Sequence, residues 1–389
     1  MAESEQQLQL ALNGAATYCR NWDLTVNLTK TKIIIFSKGR VTKHIDFTFN
    51  GKPVEVVDDY VYLGTTFNYN GNTAKAITKQ IDQGRKAMFS LLTKAKRLEL
   101  PIDVVLDLFD KTVLPVLLYG CEVWGHTNIV SLEIFYRKFL KIVLHVGLRT
   151  PSCKVYGETG KLPLAHSIRK RILSFWIKIS EGKELKYSTV IYKLIFKLHS
   201  SGQFYFSWVD YIKSSLFSCG YQNMWLQQDR YSPPFTSKLL FKTHIFKALE
   251  TKAVEDWREM LFTSDNSTIY RLYKSDLCLE NYLCKPNLSK LQIINLSKFR
   301  CGSNKIPVNN FWLQENEKYC QLCDRGEIGN EYHYLFNCKF FEHERLLYLK
   351  HYFRFRPNTE KMKKLFGSKN RKTLADLSVL TKIIMQKFQ

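Results

Sequence analysis

The spacing of apolar residues changes period near residue 72, and that change limits the fold more than any other feature of the chain. Upstream of it, short alternating runs are separated by turn pairs. Phe47 and Phe49 alternate with Asp46 and Thr48, Asn50-Gly51 suits the two positive-φ positions of a type I′ turn, and Val54, Val56 and Val57 return. Lys32–Phe36 (KIIIF) is a β-branched run expected as a buried strand, and Val61–Tyr69 is a further extended run closed by Asn70-Gly71. Ahead of these, Leu8, Leu12, Ala15, Ala16 and Cys19 recur at helical spacing, which predicts a helix over 3–20 with Ser4 as its N-cap.

Downstream, the period is about 3.6 residues. Ile77, Ile81, Met88, Leu91, Leu92 and Ala95 line one helix face, with Gly84 among them. Further helices are predicted over 103–118 (kinked or ended by Pro115), over 131–146 (Ser131 as N-cap) and over 166–179. The last turns Ile168, Ile172, Phe175, Trp176 and Ile179 inward and Arg169, Lys170, Arg171 and Lys178 outward, as a solvated face or a phosphate contact. The pattern stays mostly helical over 180–260, with loops expected at Ser214–Gly220 and Tyr231–Phe235, and 265–300 reads as another helical stretch. The fold class is therefore α+β, mostly α: small β-hairpins, a helical region, then a small cysteine-rich module. The expected segments are 1–72, 73–180, 181–300 and 301–389. The first is too small to bury much core alone, so it reads as the end of a larger domain.

Charge narrows the partners. Lys and Arg number 58 against 35 Asp and Glu, a formal net charge of +23. Such an excess in a folded chain favours a polyanion, nucleic acid first and an anionic membrane surface second. Residues 339–389 hold thirteen Lys and Arg, including Arg354 and Arg356, against four acids, interleaved with Phe340, Phe341, Tyr348, Tyr352, Phe353 and Phe355. Cations for phosphates and rings for bases suit single-stranded nucleic acid; the alternative is a helix around 340–353 with the rings as its core. No apolar run is long enough to span a membrane, and the opening residues lack the pattern of a signal peptide. With ten cysteines scattered along such a chain, reduced thiols or metal ligands are expected, in the cytoplasm or nucleus.

Cys320, Cys323, His333 and Cys338 follow the spacing C-x2-C-x9-H-x4-C. Two thiolates on one tight turn can fill two corners of a zinc tetrahedron, and a His and Cys five apart can fill the others. His343, five past Cys338, also completes four ligands. Four protein ligands would close the site, so the zinc would be structural. The remaining cysteines show no ligand spacing and are expected as buried free thiols.

Several strings resemble the non-LTR (LINE-type) retrotransposon reverse transcriptases. LALNGAATYCRNWDLTVNLTKTKIIIF with VEVVDDYVYLGTTFNYNG is similar to the region just downstream of their catalytic Tyr-Ala-Asp-Asp hairpin. LFDKTVLPVLLYGCEVWG, TPSCKVYGETGKLPL, the 166–179 helix and the terminal Cys/His module resemble their thumb and C-terminal region, so the likeness runs in order along the chain. It implies a palm end, a helical thumb and linker, and a zinc region, with His333 rather than His343 as ligand. It also implies that Tyr62, Leu63 and Gly64 position a primer. Lys30 and Lys32 would lie near nucleotide or backbone, the 74–146 helices along a duplex minor groove, and template RNA on the zinc module. The carboxylates that hold two Mg²⁺ for polymerisation lie, in that family, upstream of where this sequence begins. Asp58-Asp59 does not replace them: it precedes Tyr60 at the entry of a strand and reads as a solvated turn. The expectation is a chain that binds RNA or DNA but does not polymerise alone. The alternatives are a stand-alone zinc-dependent nucleic-acid-binding protein of retroelement origin, or a remnant without function.

Overall fold

The computed structural model describes residues 2–37, 39, 46–127, 129–180, 186–226, 228, 238–284, 288–310 and 312–388. They form two compact units, Met1–Gly84 and Arg85–Gln389. Among the described residues helices dominate and the strands form two small antiparallel hairpins, an α+β, mostly α fold.

In the first unit the helix Glu5–Asn21 begins where Ser4 accepts a hydrogen bond from the Gln7 amide. Strands β1 (Phe47–Phe49) and β2 (Lys52–Val54) pair with Phe47 opposite Val54, and Asn50 and Gly51 both have positive φ, 51° and 71°. Phe47, Phe49 and Val54 pack with Ala16 and Ile33 under Leu8, Leu12 and Cys19. The Gln9 carboxamide locks helix to hairpin, donating to the Thr48 carbonyl at 2.8 Å and accepting from its amide at 3.0 Å.

Two expectations fail here for a backbone reason. KIIIF is not a strand: only Ile33 makes a bridge, to Val56, and Phe36 is exposed, because among the described residues no strand offers the run a ladder. Nor is 61–69 one extended run. It folds back as β3 (Asp59–Tyr62) and β4 (Thr65–Asn68), with Leu63 (φ 47°) and Gly64 (φ 81°) as the turn. Leucine seldom adopts positive φ, so the sequence hides this turn.

The second unit is built on helices. Pro115, which cannot donate to the preceding turn, is accommodated by a wide five-residue turn, Phe109–Val113, between helices Ile102–Leu108 and Leu114–Leu117. After a single turn at Cys121–Trp124 the next long helix runs Val130–Leu144, so Ile129 rather than Ser131 is its cap. The helix Leu164–Ser180 buries Ile168, Ile172, Trp176 and Ile179 as the pattern predicts. Ser214–Ser218 is not a loop but the end of helix Ser207–Ser218. Val209, Ile212 and Leu216 anchor that helix in the core, and Ser214 and Ser218 bond back to carbonyls three residues earlier. Tyr231–Phe235 lies outside the described residues. The 265–300 stretch is broken: short turns at Tyr270–Tyr273 and Asn281–Cys284 flank non-helical residues before the helix Lys290–Arg300. Within this unit Trp208 Nε1 donates to the Glu122 carbonyl at 2.8 Å and the Gly147 amide to Ser303 Oγ at 2.8 Å. Among the described residues no helix is long and apolar enough to cross a membrane.

Candidate metal centre

A two-rung hairpin starts the site. The Gly329 amide donates to the Lys318 carbonyl at 2.8 Å and the Cys320 amide to the Glu327 carbonyl at 2.9 Å, so Cys320 and Glu327 leave the hairpin side by side. Cys323 lies in the connecting loop, and the Leu322 amide points at Cys320 Sγ, 3.4 Å away. The other half is a wide turn, His333–Asn337, closed by the Cys338 amide on the His333 carbonyl at 2.8 Å. A hydrogen bond across five residues brings His333 and Cys338 together, which gives the H-x4-C spacing its physical meaning.

The four donor atoms converge, all within 4.8 Å of one another. Cys320 Sγ is 3.8 Å from both Cys338 Sγ and Cys323 Sγ, and Cys323 Sγ is 3.5 Å from His333 Nε2. Zinc bonds of about 2.3 Å to sulfur and about 2.0–2.1 Å to nitrogen, at tetrahedral angles, put two sulfurs about 3.8 Å apart and a sulfur and nitrogen about 3.5 Å apart. The residues present therefore fit a tetrahedral metal such as zinc. Two further groups match. His333 Nδ1 lies 2.8 Å from Glu327 Oε2, which also accepts from Asn337 Nδ2 at 3.0 Å, the carboxylate–imidazole pairing that orients a ligand histidine. Those two hydrogen bonds, Asn337 first, hold the Glu327 carboxyl below its ordinary range. The Arg345 guanidinium is buried near Cys338 with Nη1 unpartnered, a cation beside the set of three thiols. Burial pushes the Cys338 thiol up to about 12. For Cys323 burial also raises, but the Arg325 amide and the neighbouring thiols outweigh it and the result is a lowered thiol. His343 is exposed on the helix Glu342–Tyr348 and takes no part in the cluster.

The other candidate residues are dispersed. Tyr62, Leu63 and Gly64 form the exposed tip of the β3–β4 hairpin. The Lys30 carbonyl accepts from Tyr60 Oη at 3.1 Å, so its loop packs on β3, while Lys32 pairs with Glu55. Asp59 is held by Asn68 and Lys75, and the Lys75 bond lowers its pKa. The basic face of helix Leu164–Ser180 is largely occupied by its own protein. Arg171 donates to the Leu118 carbonyl beside Glu122, Lys170 lies 4.8 Å over the Phe246 ring, and Arg169 Nε is buried. Arg354 donates to the Leu349 carbonyl, and Arg356 is exposed beside Phe355. Of the seven other cysteines only Cys121, Cys153 and Cys301 are buried, and Cys278 is exposed. The last correction follows from the break at 274–280, which carries Cys278 outward.

Sequence reasoning missed Glu327 and Arg345, and also a second polar cluster. Glu158, fully buried, accepts Arg300 Nε and Nη2 at 2.8 and 2.9 Å, Tyr270 Oη at 2.8 Å and Tyr282 Oη at 2.7 Å. Glu280 binds Arg300 Nη2 at 3.0 Å and pairs with the buried Lys274. No spacing rule signals it, because its members come from four separate segments.

The molecule is thus a mostly helical protein carrying a Cys3His centre suited to a metal. A 121-residue stretch is 29% identical to F52C9.6, an uncharacterized transposon-derived protein of Caenorhabditis elegans; the match covers 29% of this chain and 40% of that protein. No family model matches the chain. No solved structure matches it either.

Proposed function

We propose that this chain derives from a retroelement and corresponds to the C-terminal part of a LINE-type reverse transcriptase, in which it binds RNA or DNA. A structural zinc would be held by Cys320, Cys323, His333 and Cys338. The observation that carries the reading is the coupling of the four-donor centre to the basic C-terminal segment. Tyr334, next to His333, meets Phe341 at 6.0 Å and Phe388 at 4.9 Å, so the metal turn and the chain end share one core. Likeness to a transposon-derived protein supports the origin, and the net charge of +23 supports the polyanionic partner. The zinc, when bound, supplies cross-linking of the hairpin to the 333–338 turn. Glu327 orients His333, and Arg345 offsets the thiolate charge. Cytoplasm or nucleus is the compartment this reading implies.

Titration of labelled oligonucleotides at several salt concentrations tests it. If about five phosphates are neutralised, log K falls with log[salt] at a slope near −3.5 to −4.5. Absence of binding, or a flat salt response, sinks the nucleic-acid reading.

A further inference from the structure

The metal hairpin and the C-terminal helices carry opposite charge. Residues 312–333 hold Glu315, Glu317, Asp324, Glu327 and Glu331 against Lys318 and Arg325. Residues 350–372 hold nine Lys and Arg against the single acid Glu360. A phosphate backbone would be repelled by the first and drawn to the second.

The second region also presents rings. The turn His351–Arg354 and the helix Thr359–Phe366 leave Tyr352 49% and Phe355 55% exposed. His351 stacks on Phe355, with centroids 5.6 Å apart and planes 19° from parallel. Lys361 Nζ lies 4.9 Å from the Tyr352 centroid and 6.0 Å from that of Phe355, Lys364 Nζ lies 3.3 Å from Tyr352 Oη, and Arg356 is 5.4 Å from the Phe355 ring. The expected aromatic core of a 340–353 helix is thereby only half realised. Phe341 is buried, but the chain leaves helical geometry at Leu349, and that break turns Tyr352 and Phe355 outward. Half-exposed rings amid cations, with one acid nearby, match the combination that holds single strands: charge tracks the backbone while rings stack on bases.

We propose that single-stranded nucleic acid is bound on this Tyr352–Phe355–Arg356–Lys361–Lys364 surface, and that the acidic metal hairpin does not contact the strand. The proposal rests on the nucleic-acid reading above and replaces the sequence-based assignment of template to the zinc module.

Full-length protein is titrated by fluorescence anisotropy with a labelled strand of about 15 nucleotides, the matching duplex and an abasic strand of equal length. Tyr352→Ala/Phe355→Ala weakens single-strand binding about 5- to 150-fold for each base that loses its ring, and abolishes the preference for the normal over the abasic strand. Lys361→Gln/Lys364→Gln flattens the salt slope by about 1.4. Lys318→Gln/Arg325→Gln, on the hairpin, leaves affinity unchanged. Unchanged zinc content and circular dichroism show that each variant is folded. Wild-type protein that binds no strand overturns the nucleic-acid reading itself. Wild-type binding that survives Tyr352→Ala/Phe355→Ala, or that the hairpin pair reduces more, overturns only this surface. Equal loss on normal and abasic strands overturns the stacking.

Discussion

The second unit contains two knots of polar side chains, and they are built on opposite principles. Around Glu158 and Glu280 stand Arg300 and Lys274, two acids and two bases, with the Tyr270 and Tyr282 hydroxyls completing the hydrogen bonds of Glu158. Charge cancels within the knot, and Arg300 is also wrapped by Tyr273, Tyr282 and Phe366 at 5.0–5.3 Å. Cys320, Cys323, His333 and Cys338 are instead all lone-pair donors, crowded within 4.8 Å of one another. Converging donors of one kind satisfy each other poorly and are satisfied well by a cation placed between them. The ion-paired knot balances its own charge, although Arg300 Nη1 has no hydrogen-bond partner, whereas the sulfur knot calls for a partner from outside.

Removing the metal is the strongest way to break this contrast. Zinc-finger peptides draw ~10–16 kcal/mol of apparent folding free energy from their metal. Protein prepared without chelator should carry about one zinc per chain. Cys323→Ser or His333→Ala should release it and unfold 318–341, while His343→Ala should retain it. Elemental analysis with proteolysis of the 318–341 segment reads the result, and protein free of metal with an intact hairpin would show that packing alone holds the thiols. Next in size is Arg300→Met, which strands Glu158 and Glu280 in the core and should cost about 3–5 kcal/mol. Restoring balance with Glu158→Gln on that background should recover part of the loss. Urea unfolding followed by circular dichroism measures both, and a loss below about 1 kcal/mol for Arg300→Met would mean that the knot contributes little net stability.

Glu327→Gln sharpens the comparison at a smaller scale. The amide keeps an acceptor for His333 Nδ1 but loses the charge that orients the ring and raises its basicity. A loss of about 10- to 100-fold in zinc affinity is expected, with the ligands intact. Competition against a chromophoric chelator measures it, and wild-type affinity in the variant would leave Glu327 a surface acid that only caps the turn.

Legibility in the sequence follows the same divide. The helix faces, the Asn50-Gly51 hairpin and the four metal donors were readable because each rests on short-range spacing: 3.6 residues, two residues, or ligand intervals set by one turn. What was hidden depends on groups far apart in the chain. Glu158 and Arg300 are 142 residues apart, and neither differs in sequence from a surface charge. The Leu63-Gly64 turn was concealed by a leucine at positive φ, and KIIIF looked like a strand because propensity does not reveal whether a pairing partner exists. Exposure of Tyr352 and Phe355 depends on one chain break at Leu349, which the charge and aromatic pattern alone could not place.

Acid gives the smallest effect and separates the two knots by its sign and window. Burial alone would raise the Glu158 carboxyl, but Arg300 first, then Lys274 and the Tyr282 hydroxyl, outweigh it and leave the pKa below its ordinary 4.5. Glu280, Tyr270 and Tyr273 also face this group or its arginine, and Ser297 Oγ meets the Tyr282 hydroxyl; Tyr270, Tyr273 and Tyr282 stay neutral because burial raises them well above the usual phenol range. A carboxyl depressed in the folded state contributes stability that is complete above its unfolded pKa and is lost as pH falls through the folded one. Glu158 should therefore add no pH dependence between pH 8 and 5, and its contribution should fade only below about 4.5. The metal centre behaves differently, because its thiols must shed protons to bind, so acid competes with zinc across the whole range from 8 to 5. A pH series with zinc release and helix content recorded on the same samples should show metal leaving first while the helical signal of 85–389 persists. Helix loss coincident with zinc release, at any pH above 5, would mean that the two knots are one cooperative structure.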